Sequence, residues 1–273
     1  MSASDNINDQ VTSLLREAST RGPGQGATPE FDILEMPLEG VAAYWLSVKK
    51  TLDSKKNAGT FLPEEVRHTR EPFIKFLLEL TASSFPADRC EHLATIRKLN
   101  ILNELQRKYV LMAIGLLGIV SNENPQKVMI RFLSKFHIAP IFEKQVFEVA
   151  QMMIKNIDNT ELNKAKFLNI DHKLTIEALI INLVFYCMLA RRTGPQSLLE
   201  YQSFISSQYF KDGLTLICDG FDYDFVKFRL NLVKKEILSD TEMKMDLSIN
   251  MMHAIKSAMS FADVYLVAKT YLP

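Results

Sequence analysis

The sequence predicts an all-α protein, a multi-helix bundle around two buried central helices. Three observations carry this. Apolar residues recur at spacings of three and four through most of the 273 residues, the signature of helices with one inward face. Only 10 Gly and 10 Pro stand beside 47% hydrophobic residues, which leaves little material for the regular turns of a β fold. Two runs, 109–120 and 176–190, are apolar on nearly every side.

The run from Ile176 to Ala190 reads as a helix enclosed by others. Glu177 and Asn182 interrupt it, and it falls short of the roughly 20 apolar residues a membrane span needs. Arg191 and Arg192 suit a helix C-terminus, and Gly194-Pro195 supplies a left-handed cap and a block. At about 1.5–3 kcal/mol for each large apolar side chain buried, this element supplies a sizeable part of the core.

From the N-terminus, Ile7, Val11, Leu14, Leu15 and Ala18 form an apolar stripe on a short predicted helix. Four turns are marginal alone in water, so the stripe must dock, on its own body or in a partner's groove. Residues 21–29 hold three glycines and two prolines, a linker with a reach of about 15 Å. Residues 30–39 alternate acidic and apolar side chains around Pro37, and an extended strap is expected. The chain thus divides into residues 1–38, comprising arm, linker and strap, and a helical body over 39–273. The length of that body also accommodates two lobes, about 39–157 and 158–273.

Within the body, Val41, Tyr44, Trp45, Val48 and Leu52 share a helix face, and the single tryptophan belongs in the core. Pro63 and Pro86 are expected at helix starts, and Pro72 at a kink or a second start. Gly115 and Gly118 lie on one side of the 109–120 run, where another helix can approach closely. Asn124 caps a helix with Pro125 as its first residue, and another amphipathic helix spans Ile141 to Lys155. A further helix is read over Leu198 to Phe210. Residues 214–225 leave two readings open: a small hairpin turning at Asp219-Gly220, or short helices ended by Gly213 and Gly220. Helix is expected over Asp224 to Leu238, and Ser239-Asp-Thr-Glu242 reads as a capping box opening a last, Met-rich long helix or helix pair.

Signatures of chemistry are missing. Glu65-Val-Arg-His68 has the spacing used in di-iron bundles, but those need two such motifs. Cys90-Glu-His92 lacks further zinc-like ligands. There is no Walker loop, dinucleotide fingerprint or nucleophile elbow, so no catalytic residue, cofactor or metal is assigned. The sequence of helix, polar turn, helix, Pro stop and helix over 109–155 resembles TerB-like helical domains. Asn122-Glu-Asn-Pro125 stands where those domains carry acidic metal-binding residues, and nothing about function is taken from the resemblance.

Formal net charge is zero, which argues against a dedicated nucleic-acid coat. The charge is unevenly spread: residues 1–65 carry ten acidic and six basic side chains, residues 85–137 four acidic and eight basic. Arg97, Lys98, Arg107, Lys108, Lys127, Arg131 and Lys135 form a candidate basic groove, with Tyr109 and Phe136 available for base stacking. Three cysteines, an odd number, suit a reducing compartment. Without a signal peptide or an apolar span, the cytoplasm is expected.

The leading expectation is a non-enzymatic adaptor or scaffold that assembles with protein partners, or with itself, through the arm. The alternative is a viral-type coat protein that oligomerises through the arm and holds single-stranded RNA in the basic groove. On that alternative, changing Lys127, Arg131 and Lys135 together to Glu abolishes RNA retention in a filter-binding assay without unfolding the protein; undiminished retention excludes it.

Overall fold

A computed structural model describes residues 32–54, 58–157 and 164–272. The arm residues Ile7, Val11, Leu14, Leu15 and Ala18 and the linker lie outside them. The described residues hold eleven α-helices, one 3₁₀ segment and no strand. The helices are α1 (Leu38–Ser54), α2 (Ala58–His68), α3 (Pro72–Ala82), α4 (Ala87–Val120), α5 (Pro125–Leu133), α6 (Glu143–Lys155) and α7 (Lys164–Phe167). After them come α8 (Ile176–Thr193), the 3₁₀ segment (Pro195–Phe204), α9 (Gln208–Cys218), α10 (Tyr223–Lys256) and α11 (Phe261–Lys269). None of the helices among the described residues is long and apolar enough to cross a membrane.

Contacts divide the chain into two units: Met1–Leu102 with Ile237–Pro273, and Asn103–Glu236. In the first, α1 buries Val41, Trp45 and Leu46 among Phe73, Leu77 and Leu78 of α3 and Met245, Met251 and Met252 of α10. The methionine run is therefore mainly core, with only Met243 and Met259 well exposed. Glu71 caps α3 by accepting the Ile74 N–H (2.5 Å) ahead of Pro72. At the other end of α3, the Lys256 ammonium donates to the carbonyls of Leu80 (2.9 Å), Thr81 (3.1 Å) and Ser83 (2.7 Å). A cation here satisfies acceptors that a helix end leaves unpaired and complements its dipole.

In the second unit α8 is the central element, with α5, α6 and the 3₁₀ segment packed on it. Thr175 caps it through the Ala178 N–H (3.3 Å), and Gly194 at φ 85° ends it. The paired glycines of α4 are where helices approach: a Cβ on Gly115 would meet Leu183 at 3.2 Å, and one on Gly118 would meet Val128 at 2.7 Å. Asn124 caps α5 as expected, accepting the Gln126 N–H (3.0 Å). Burial pushes the Cys187 thiol up to about 12, so it packs as an apolar group rather than ionising.

Several expectations are corrected. Of the two readings of 214–225 the helical one holds at Gly220 and the hairpin does not: α9 runs to Cys218, and Gly220 at φ 84° turns the chain into α10. Gly213 ends nothing; it lies inside α9, where a Cβ would collide with Leu116 and crowd Leu230. Ser239-Asp-Thr-Glu242 opens no helix, because α10 passes through it unbroken. Thr241 there donates back to the Ile237 carbonyl (2.7 Å) and Asp240 pairs with Lys244 (2.6 Å), so the polar side chains are satisfied within the helix. Pro63 sits inside α2. Residues 33–36 turn, with Met36 N–H bonded to the Asp32 carbonyl (2.9 Å), rather than extend. Leu198–Phe210 is a 3₁₀ segment followed by the start of α9.

Lys256→Met removes the donor from three carbonyls and is expected to cost about 1–3 kcal/mol, read as a lower urea midpoint at unchanged slope.

Candidate functional site

The first half of α10 carries the features that internal packing leaves unexplained. Asp222 accepts the Phe225 N–H (2.8 Å) and so fixes the helix start. At about 100° per residue, the residues that follow fall on three sides. Val226 and Leu230 are buried. Phe225, Phe228 and Leu232 stand on the opposite side and are exposed, Phe228 to 64%. Phe221, just before the helix, stacks on Phe225 at 4.6 Å between ring centroids and extends this apolar row. A helix apolar on two opposite sides, one of them in solvent, is not accounted for by its own core. Ile138 (80%) and Phe142 (78%) are still more exposed; Ile138 lies in the α5–α6 connection, and Phe142, at the N-cap position of α6, precedes the exposed Val149 and Met152 of that helix.

Lys227, Asn231 and Lys234 form the third side, at successive turns. They line a recess of about 220 Å³ whose floor is the α4 stripe of Val110, Ala113, Ile114 and Leu117. Its remaining wall is Arg131, Ser134 and Lys135. Arg131 donates to Glu123 (2.6 Å). Lys234 is half-buried and donates to Asn231 Oδ1 (3.0 Å), and burial pushes its pKa down. Lys227 stands over the Tyr223 ring at 5.9 Å. Among the described residues, no carboxylate pairs with Lys135, Lys227 or Lys234.

The residues of the sequence-derived basic groove are distributed unevenly. Arg131 of α5 and Lys135 of the turn after it line the recess; Lys127 is exposed on α5 but outside the lining. Arg107 stands over the Phe136 ring at 5.3 Å. Lys108 is buried, donating to the His172 carbonyl (2.8 Å) and pairing with Glu104 (2.7 Å). Arg97 and Lys98 belong to the other unit. Lys98 lies between Asp246 (2.8 Å) and Glu242 (3.3 Å); burial opposes its charge, but the two carboxylates outweigh burial and hold its pKa above the usual lysine value. Tyr109 is buried edge-on against Tyr209 at 4.9 Å. Lys227 and Lys234 were not singled out from the sequence. The signal was a Lys-x-x-x-Asn-x-x-Lys spacing, indistinguishable in one dimension from the solvated side of a helix.

Glu65 of the single Glu-x-x-His motif accepts the Tyr44 hydroxyl (3.1 Å). Among the described residues, no group of three or more His, Cys, Asp and Glu side chains could hold a metal ion.

No protein-family model, curated protein or solved structure matches the chain. Lys98→Met should act on stability alone: it leaves two carboxylates facing each other, at a cost of about 1–2 kcal/mol by urea denaturation, and leaves anion or RNA affinity unchanged.

Proposed function

We propose that this chain is a non-enzymatic assembly protein, an adaptor or scaffold subunit, in which the N-terminal arm of one copy docks on the exposed apolar side of α10 in another. The observation that carries this reading is the row Phe221, Phe225, Phe228 and Leu232. Its spacing of four, three and four residues is also that of Ile7, Val11, Leu14 and Ala18 in the arm. Two seams of the same period are what paired helices need to keep their apolar residues in register. The linker over 21–29 leaves the arm room to reach a neighbour. Residues 1–31 carry four acidic and two basic side chains, whereas residues 221–236 carry four basic ones, Lys227, Arg229, Lys234 and Lys235, against three acidic ones, Asp222, Asp224 and Glu236, so the two segments are opposite in balance. Opposite charge at the edge of an apolar contact selects partner and orientation more than it adds affinity. A reducing, cytoplasmic setting suits the three thiols, none of which forms a disulfide.

The coat-protein alternative would use the same arm, with RNA held by basic side chains. Its support is Arg107, Lys127, Arg131 and Lys135 in the second unit; the engagement of Lys98 and Lys108 in internal contacts weighs against a continuous track.

Light scattering on the full chain should show concentration-dependent oligomers. Both deletion of residues 1–29 and the double change Phe225→Ser with Phe228→Ser should return it to a monomer. A labelled peptide of residues 1–29 should bind the truncated chain and bind the double variant at least about tenfold more weakly. A full chain that stays monomeric at all concentrations, or oligomers indifferent to both changes, rejects the reading. Co-purifying nucleic acid, seen in the 260/280 nm absorbance ratio and lost with the arm, would favour the coat protein.

A further inference from the structure

We infer that the recess between α4, α5 and α10 is a binding site for a small phosphate ester, its phosphate held by Lys135, Lys227 and Lys234 and its apolar part resting on the α4 floor. α4 supplies the floor, α10 supplies Lys227 and Lys234, and the turn that follows α5 supplies Lys135, all to one cavity of about 220 Å³. Like charges converging on one recess repel each other, and Lys234, half-buried there beside the exposed Lys135 and Lys227, is a partly desolvated cation, costly without a counter-charge. Arg131 already has one in Glu123. The three lysines have none among the described residues, and the only hydrogen bond of Lys234 runs to Asn231 on its own helix.

The charge count selects the ligand. A carboxylate would compensate one ammonium of three, whereas a phosphate monoester carries close to two negative charges at neutral pH and three oxygens to receive them. Arg131 retains donors beyond the one used on Glu123, because a guanidinium has five. Ser134 and Asn231 add neutral polar groups at the wall. The floor of Val110, Ala113, Ile114 and Leu117 offers a phosphate nothing, but it matches an aryl or short alkyl group, which inorganic phosphate lacks. Compactness separates this site from a nucleic-acid track. Its cations surround one cavity, whereas a polyanion needs them strung along a path.

The test is calorimetric titration of the full chain with 1-naphthyl phosphate, inorganic phosphate and 1-naphthol. Naphthyl phosphate should bind at one site per chain, inorganic phosphate about tenfold more weakly for want of the floor contact, and naphthol not measurably. Lys227→Gln and Lys234→Gln should each weaken naphthyl phosphate about tenfold. Lys234→Arg should retain most of the affinity, and Lys144→Gln, an exposed lysine of α6 outside the recess, should change nothing. Far-ultraviolet circular dichroism establishes that each variant is folded. The inference is overturned if naphthyl phosphate does not bind at millimolar concentration, or if Lys227→Gln and Lys234→Gln leave its affinity unchanged. Equal affinity for inorganic phosphate removes the role of the floor. Single-stranded RNA that outcompetes naphthyl phosphate, with a salt slope spanning several phosphates, would assign the cations to nucleic acid instead.

Discussion

The helix Ile176–Thr193 can be enclosed by protein only because the polar groups it carries inward find acceptors. Asn182 donates to the Asn169 carbonyl (2.7 Å) and the Tyr186 hydroxyl to the Leu168 carbonyl (2.7 Å). Leaving either unsatisfied in the interior would cost about 1–3 kcal/mol. Both acceptors lie in the short stretch before the helix, which receives two further bonds: Ser206 N–H to Asn169 Oδ1 and Ser207 N–H to the Ile170 carbonyl, each 2.8 Å. The start of α9 is thereby pinned to α8. Phe210 then meets Tyr186 at 5.6 Å, and Gly213 lets α9 close on Leu116 and Leu230. At that residue α9 meets both Leu116 of α4 and Leu230 of α10, the two helices whose neighbouring residues line the recess.

What was legible in the sequence follows from what a periodic pattern encodes. A run apolar on all sides, such as 176–190, has no stable placement except burial, and Asn124-Pro125 or Gly194-Pro195 stop and start helices by local backbone chemistry alone. Open alternatives and errors arose where a local signal had a competing use. Asp219-Gly220 supports a hairpin only if strands flank it, and the same positive-φ glycine serves equally well after a helix. Ser239-Asp-Thr-Glu242 has the composition of a cap, yet its side chains bond within a continuing helix. Gly213 looked like punctuation because nothing in one dimension reports the approach of Leu116. Similarly, Lys98 and Lys108 read as surface charge, and only three dimensions show the carboxylates and the carbonyl that occupy them.

The candidate site was half-legible for the same reason. Arg131 and Lys135 stood out on and just after a short basic helix, whereas their partners Lys227 and Lys234 are distant in sequence and lie in a stretch of mixed charge. Phe225, Phe228 and Leu232 were hidden differently. Their spacing is that of a core face, and the default assumption for such residues is burial. The buried positions of α10 are instead Val226 and Leu230, so one helix bears two apolar sides that its pattern alone cannot rank.

These two surfaces of α10 respond to different physics, although single turns separate them. The aromatic row offers area, and its interaction with another apolar face is little affected by simple salt and strengthened by salts excluded from protein surfaces. The recess offers charge at a partly open site, where ionic screening acts over about 10 Å at 0.1 M salt. Raising ionic strength therefore removes the attraction of the lysines for an anion while leaving the apolar row intact. The flanking Lys227, Arg229, Lys234 and Lys235 also give the exposed phenylalanines a strongly hydrated border, which limits indiscriminate association of an apolar row this size. The helix can thus present a sticky side to solvent because its neighbouring side is charged, and any ligand that neutralises that charge acts on the border of the apolar row.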